Sequence, residues 1–259
     1  MSSTVDDCAA RLEKAVRDRT AIGPITTEHP SLALDDAYDV QALVAQHRVA
    51  NGERVIGAKL GLTSRAKQVQ MNVDQPVYGQ LLSGGIHASD DPVVLANYIH
   101  PRVEPEIVFV IGDELRGPGV TAGDVIAATR AVCCGLEIID SRYADFKFTM
   151  TDVVADNTSA AGIVMGPTYV SPAALDLSLI GVLLEVDGQL VTTAAGAATM
   201  GHPADAVAML ANWLGERGQA MDAGWVVFSG GLTNAVPLAP GTHVRATFGH
   251  LGSVGVRAT

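Results

Sequence analysis

The first fifty residues place apolar side chains at helical spacing. Apolar positions recur every three or four residues between 4 and 18, and the same pattern returns in LDDAYDVQALVAQHRVANG (34–52), where Gly52 is a plausible stop. Side chains at this spacing line one side of a helix, so two amphipathic helices are predicted. We expect them to form an N-terminal helical cap, residues 1–54, that packs on the rest of the chain.

The pattern changes from Val55 onward to short apolar runs between glycines and turn residues, which favours strands. Asp187-Gly188 separates two such runs and predicts a tight hairpin. Strands are also indicated at 224–230, 243–248 and 252–257.

Two helices are predicted within this second region. Thr121 and Asp124 have the spacing of a capping box, and Pro203 stands at the first turn of an amphipathic segment that runs to 217. Strands and helices do not alternate regularly. The chain therefore predicts an α+β fold in which a β-rich catalytic domain, residues 55–259, carries helices at its periphery and forms one structural unit with the cap.

Composition narrows the classes of function. The chain has 259 residues, of which 48% are hydrophobic and 17% charged, and it lacks the apolar run of about 18–20 residues that a membrane helix needs. A net charge of −11 opposes binding to nucleic acid or anionic lipid. The acidic N-terminus does not resemble a secretory signal, and the three cysteines form no C-x-x-C motif, so we expect a cytoplasmic protein without disulfides.

The segment RVEPEIVFVI (102–111) contains the clearest candidate for chemistry. Glu104 and Glu106 are two residues apart at the start of a predicted strand, so their side chains should project from the same face. The later residues are apolar on both faces, which implies burial. Two buried carboxylates repel each other and lose hydration unless they are protonated or neutralised by a cation.

A third carboxylate, Glu137, lies within another apolar strand in CCGLEIIDSRY. Three carboxylates with open coordination positions suit Mg²⁺ or Mn²⁺ rather than zinc. The alternative is structural: Glu104 and Glu106 could be exposed at a strand end, and Glu137 could pair with a lysine.

Three longer segments resemble the fumarylacetoacetate hydrolase superfamily, and in particular its hydratase and decarboxylase branch. They are GAKLGLTSRAKQVQMNVDQPVYGQLL (57–82), EPEIVFVIGDELRGPGVTAGDVIAAT (104–129) and LEIIDSRYADFKFTMTDVVADNTSAAGIVMG (136–166). The resemblance covers nearly the whole chain and implies a mixed β-roll fold. It also implies that Glu104, Glu106 and Glu137 ligate a divalent metal and that Lys59 is the active-site lysine.

Within that branch, the resemblance implies metal-dependent decarboxylation of 2-oxohex-3-enedioate (4-oxalocrotonate) to 2-hydroxypenta-2,4-dienoate in the meta-cleavage breakdown of aromatic compounds. Hydration of 2-hydroxypenta-2,4-dienoate is the alternative. The hydratases usually have a carboxylate where this chain has Val77 in PVYG, and they favour S-R-I-x-x-W where it has SRYADFKF. A metal-stabilised, non-catalytic partner subunit is a third interpretation. The resemblance also implies a homo-oligomer and a complex with the pathway hydratase.

Five further residues are candidates for contact with a 2-oxo dicarboxylate substrate, each with a structural alternative. Ser159 and Asp156 lie in ADNTSA, which could instead be a turn that satisfies its own backbone. Lys147 could meet the distal carboxylate or be a solvated lysine on a half-buried strand. Gln75 and Tyr78 could line the pocket, and Tyr78 could equally pack in the core.

Overall fold

The computed structural model describes residues 3–64, 68–69 and 76–259. It confirms the two N-terminal helices, α1 (Ser3–Asp18) and α2 (Leu34–Ala50). Gly52 follows α2 with φ +97°, a conformation that glycine adopts without steric cost, and so ends the helix as predicted.

Thirteen strands lie within the described ranges. They are β1 (Val55–Gly61), β2 (Val77–Leu82), β3 (Ile86–His87), β4 (Pro92–Val93), β5 (Arg102–Ile111), β6 (Thr129–Ile139), β7 (Ala160–Met165), β8 (Gly181–Val186), β9 (Gln189–Ala195), β10 (Val226–Phe228), β11 (Val236–Pro237), β12 (His243–Phe248) and β13 (Gly252–Ala258). Asp187 and Gly188 both have positive φ between β8 and β9, which confirms the predicted hairpin.

The strands form two sheets. The larger sheet has the order β2-β1-β10-β5-β6-β7-β3, with β11 also paired to β5, and the smaller has the order β4-β13-β12-β8-β9. The long strands β5 and β6 form an antiparallel pair at the centre of the larger sheet. Side chains there are covered on both faces, as the apolar run at 107–111 predicted.

From residue 76 onward, where the description is continuous, the α-helices are α3 (Ala122–Ala128), α4 (Met150–Ala155) and α5 (Pro203–Glu216). Thr121 and Asp124 form the predicted capping box of α3, and Pro203 occupies the first turn of α5. Thr149 and Asp152 cap α4 in the same manner. None of the helices in the described part of the chain is both long and apolar enough to cross a membrane.

Three clusters of buried side chains stabilise the described part of the molecule. The largest cluster joins the two sheets and α5. The second joins α1 and α2 to Val77, Tyr143 and Val154 of the β-rich region. The third and smallest lies within the larger sheet, around Phe228 and Val108. The structure confirms an α+β fold with N-terminal and peripheral helices, while the domain boundary at residue 54 stays a prediction. All three cysteines are buried and unpaired.

Candidate metal and lysine site

The register of β5 and β6 brings the predicted carboxylates together. Glu104 lies directly opposite Glu137, and Glu106 follows two residues further along β5 on the same face. One carboxylate oxygen from each residue lies within 4.8 Å of the other two. Glu106 and Glu137 are fully buried and Glu104 is half-buried, so the interpretation of Glu106 as an exposed strand-end residue was wrong.

Glu106 accepts a hydrogen bond from the backbone of the loop that interrupts the ladder beside β5. On that side β5 pairs with β10 and β11, and the chain between them loops past Pro105, which has no N–H of its own. Gly230, at φ +115°, turns its N–H toward Glu106 Oε2 at 2.6 Å. A Cβ at Gly230 would stand 2.0 Å from Thr63 Oγ1, so this turn requires glycine.

Lys59 reaches the same carboxylates from β1. Its Nζ lies 2.9 Å from Glu137 Oε1 and donates to the carbonyl oxygen of Thr158 at 3.0 Å. The side chain is only 3% exposed. The predicted pairing of Glu137 with a lysine is therefore observed, and it coexists with the carboxylate cluster rather than replacing it.

The buried carboxylates create an unbalanced negative charge. Burial, followed by the charge of Glu137, raises the pKa of Glu106 well above its usual range, although Lys59 and the Gly230 N–H oppose this. Burial also raises the pKa of Glu137, against the lowering effect of Lys59. Glu106 Oε1 and Glu137 Oε2 accept no hydrogen bond from the described residues. Buried oxygens in an all-carboxylate set fit a hard divalent cation such as Mg²⁺ or Mn²⁺.

The ADNTSA segment forms a tight turn beside Lys59. Asn157, Thr158 and Ser159 all have positive φ, between +50° and +59°. The Ser159 side chain is 4% exposed, and its Oγ has no hydrogen-bond partner among the described residues. A buried hydroxyl without a partner is consistent with the predicted substrate contact, which stays a prediction.

Asp156 is fully engaged within the protein. Its carboxylate accepts hydrogen bonds from Arg142 Nε, from the Arg142 backbone N–H at 3.1 Å and from Ser141 Oγ at 3.4 Å. Burial raises the pKa of Asp156 to about 6 although Arg142 lowers it. These contacts favour the structural interpretation of Asp156 over the predicted substrate contact.

Lys147 and Tyr78, two further predicted substrate contacts, have surroundings that favour their structural alternatives. The Lys147 side chain is 80% exposed and pairs with Asp145; it follows a 3₁₀ turn, so the strand interpretation of this segment was wrong. Tyr78 pairs with Leu60, so its ring projects from the face opposite Lys59, where it contacts Tyr38 and Trp213. This position favours core packing. Gln75 lies outside the described residues.

Sequence reasoning missed three contributors to the site. No role in the site was predicted for the Gly230 N–H, for the Thr158 carbonyl or for Arg142 in IIDSRY. Two of these contributors are backbone groups, whose direction no residue type reveals. The adjacent glycines after an apolar strand were the one available signal for Gly230.

A family model described as "Fumarylacetoacetate (FAA) hydrolase C-terminal" matches residues 14–258. The chain belongs to the fumarylacetoacetate hydrolase family. This confirms the resemblance that the three long segments indicated.

Two curated members of the family match almost the whole chain. The chain is 43% identical to the 4-oxalocrotonate decarboxylase of Pseudomonas sp. (strain CF600) over 249 residues, which cover 96% of this chain and 94% of that protein. It is 40% identical to the 2-hydroxyhexa-2,4-dienoate hydratase of Comamonas testosteroni over 251 residues, covering 96% of this chain and 95% of that protein. Both branches of the family are thus close in sequence.

A solved structure from the family has the same fold along its entire length. The 4-oxalocrotonate decarboxylase from Pseudomonas putida G7, complexed with magnesium and adipate, superposes with a TM-score of 0.97. The sequence identity is 41%, and the alignment covers 100% of this chain and 98% of that chain. The predicted family fold with N-terminal helices is confirmed.

Proposed function

We propose that this protein is a divalent-metal-dependent carbon–carbon lyase that decarboxylates 2-oxohex-3-enedioate to 2-hydroxypenta-2,4-dienoate. The carrying observation is the buried cluster of Glu104, Glu106 and Glu137 with Lys59 at its edge. Support comes from the similar decarboxylase of strain CF600 and from the similar structure complexed with magnesium and adipate, a six-carbon dicarboxylate like the substrate.

The conjugated 2-oxo group of the substrate accepts the electron pair that decarboxylation releases. When the bond from C5 to the C6 carboxylate breaks, its electron pair forms the C4–C5 double bond, the C3–C4 pair moves to C2–C3, and the carbonyl pair moves onto the 2-oxo oxygen. Protonation of that oxygen completes the dienol. A cation held by the three glutamates would supply Lewis-acid charge at the oxygen where the electrons collect.

The residues of the chain prepare this reaction by charge and by exclusion of water. Glu106 and Glu137 are fully buried, so their charges are weakly screened. The Lys59 ammonium lies beside Glu137 and would add positive charge near the oxygen on which the electrons collect. Preorganised charge of this kind typically contributes several kcal/mol. Gly230 donates to Glu106 Oε2 and holds that carboxylate in one orientation.

Position 77 favours decarboxylation over hydration. Val77 pairs with Gly61 and therefore projects from the same face as Lys59. It is 2% exposed and packs in the cluster that joins α1 and α2 to the β-rich region. The hydratases usually carry a carboxylate here. The apolar side chain leaves this position without a group that could exchange a proton with a water nucleophile.

The decisive experiment supplies purified protein and Mg²⁺ with 2-oxohex-3-enedioate and, separately, with 2-hydroxypenta-2,4-dienoate. We expect CO2 and the dienoate from the first substrate and no hydration of the second, as followed by NMR. The isosteric variant Glu106→Gln is the matched control, because it removes one carboxylate charge and keeps an acceptor for the Gly230 N–H.

Other outcomes would change the assignment. Hydration of the dienoate without CO2 release would make the protein a hydratase, the activity of its 40% identical relative from Comamonas testosteroni. Inactivity toward both substrates would favour a non-catalytic partner subunit.

The proposed setting follows the same family branch. We infer a cytoplasmic enzyme of aromatic meta-cleavage catabolism, which the three unpaired cysteines support. We also infer self-association and a complex with the pathway hydratase, which the family resemblance supports. Light scattering of the protein alone, and then mixed with that hydratase, tests both associations.

A further inference from the structure

The turn at residues 157–159 is the most strained segment near the site. Asn157, Thr158 and Ser159 have φ of +50°, +52° and +59°. Residues other than glycine rarely adopt this region, and a β-branched residue such as Thr158 is especially unfavourable there. Such a conformation persists only where surrounding contacts enforce it, and it indicates a functional requirement when it borders a site.

Polar contacts fasten the turn to the edge of β2. The Asn157 side chain exchanges two hydrogen bonds with the backbone of Gln80, at 2.7 and 2.9 Å, in the manner of a neighbouring strand. Thr158 Oγ1 donates to the carbonyl oxygen of Tyr78 at 2.8 Å. The side chains of the turn therefore bind backbone groups along the edge of β2 that does not pair with β1, and the Tyr78 carbonyl oxygen also accepts from Gln41 Nε2 at 3.0 Å.

Arg142 fastens both ends of the turn. Its guanidinium is 7% exposed as part of a buried ion pair with Asp156. It also donates to the backbone carbonyl oxygen of Asp156, before the turn, and to that of Ala160, after it, the latter at 3.4 Å. One planar group with several fixed donors thus spans the segment.

Two glycines make room for the turn against β1 and β2. A Cβ on Gly79 would stand 2.4 Å from the carbonyl oxygen of Asn157, and a Cβ on Gly61 would stand 2.6 Å from Thr158 Cγ2. Both distances are shorter than van der Waals contact. The backbone of the turn consequently lies close to the strand that carries Lys59.

We propose that Thr158 is a positioning residue for Lys59. Its anchored side chain and left-handed backbone place its carbonyl oxygen 3.0 Å from Lys59 Nζ, which also lies 2.9 Å from Glu137 Oε1. The ammonium is held by the hydrogen bond to Thr158 and the ion pair with Glu137. This inference rests on the proposed function, since the lysine is positioned for the decarboxylation described above.

The test uses the contact between Gly61 and the Thr158 methyl group. Gly61 does not have positive φ, so Gly61→Ala adds no backbone strain. Its Cβ would clash with Thr158 Cγ2 at 2.6 Å and would make a closer than usual contact with Val77 Cγ2 at 3.3 Å. We expect kcat to fall about tenfold or more, since an error of about 1 Å in a catalytic group can cost up to about a hundredfold. The double variant Gly61→Ala/Thr158→Ser lacks the clashing methyl, keeps Oγ1, and should recover most of the loss.

The matched control is Gly181→Ala. Gly181 also lies at the end of a strand without positive φ, and its added Cβ would meet nothing within 4 Å. Affinity for Mg²⁺, measured by calorimetry, should be unchanged in Gly61→Ala because the glutamates lie on β5 and β6. A purely structural role would lower Tm and leave kcat unchanged. Unchanged kcat in Gly61→Ala, or a loss that the double variant does not recover, would overturn the proposal.

A second variant, Thr158→Val, tests the proposal if Gly61→Ala folds poorly. Thr158→Val keeps the shape of the side chain and loses the hydrogen bond to the Tyr78 carbonyl oxygen, so kcat should again fall at constant Mg²⁺ affinity. Unchanged kcat would count against the proposal.

Crystal structures of the wild type and Gly61→Ala separate this inference from the proposed function. Even if the wild type is inactive, the proposal requires the 3.0 Å contact from Lys59 Nζ to the Thr158 carbonyl oxygen to lengthen in Gly61→Ala.

Discussion

The two groups that hold the Lys59 ammonium come from contrasting structures. Glu137 belongs to β6, a long regular strand whose register with β5 sets the spacing of the carboxylates. Thr158 belongs to a left-handed turn held by side-chain hydrogen bonds and a buried ion pair. The strand β6 provides a carboxylate at a defined spacing from the other two, and the turn sets the direction of the Thr158 carbonyl oxygen.

This contrast indicates how each side should respond to substitution. A change on β5 or β6 alters which charges are present and leaves the backbone supported by its ladder. A change at the turn leaves the carboxylates intact and releases a strained backbone, because side-chain contacts rather than a backbone ladder maintain its conformation. Substitutions on β5 or β6 should therefore lower metal affinity more than stability, whereas substitutions at the turn should lower stability more than metal affinity.

The largest effect is expected on the strand side. Glu106→Gln should abolish Mg²⁺-dependent turnover and leave the fold intact. Wild-type Tm should rise with added Mg²⁺, since a ligand at about 100 times its Kd stabilises by about 2.7 kcal/mol. The variant should show no such rise.

In chelator, Glu106→Gln should be at least as stable as the wild type at neutral pH, because Glu106 is a buried carboxylate whose burial raises its pKa. Thermal scans with Mg²⁺ and with chelator provide this measurement. An Mg²⁺-dependent Tm in the variant would remove Glu106 from the metal site.

At the turn, we expect a loss of stability rather than a complete loss of turnover. Arg142→Met should lower the free energy of unfolding by about 3–5 kcal/mol, because it leaves Asp156 buried without its partner. Urea denaturation provides the measurement. Arg245→Met is the matched control, since Arg245 is exposed on β12 and contacts only the Ser253 hydroxyl among the hydrogen bonds described, so its loss should cost less than about 0.5 kcal/mol. Equal stability of the two variants would contradict the role of Arg142.

The smallest effect concerns pH. The pKa of Asp156 is raised from 3.8 to about 6 by burial, so the folded protein binds this proton more tightly than the unfolded chain. Its contribution is fully present below pH 3.8 and is lost as pH rises toward about 6, at a cost of order 1–3 kcal/mol.

Unfolding free energies from pH 4 to 7 in chelator, for the wild type and Asp156→Asn, isolate this contribution. Glu106 and Glu137 titrate in the same direction but are common to both proteins. The wild type should lose stability relative to the variant across this range. Parallel curves would show that the pKa of Asp156 is not raised.

Local pattern was sufficient for the helices α1, α2, α3 and α5 and for the choice of the three carboxylates that form the cluster. Two-residue alternation placed Glu104 and Glu106 on one face, and apolar flanks placed Glu137 in a buried strand. The starts of the helices near Thr121 and Pro203 could be predicted because helix capping depends on residues close in sequence. The family resemblance added the role of Lys59.

Tertiary structure decided how these elements meet. Glu104 faces Glu137 only because of the register of two strands separated by a helix, and the Gly230 N–H reaches Glu106 only because the adjacent ladder is interrupted there. The left-handed turn at Thr158 depends on contacts with β1, β2 and Arg142 that local propensity opposes. Long-range packing can impose a conformation that no short sequence window favours, and here it does so beside Lys59.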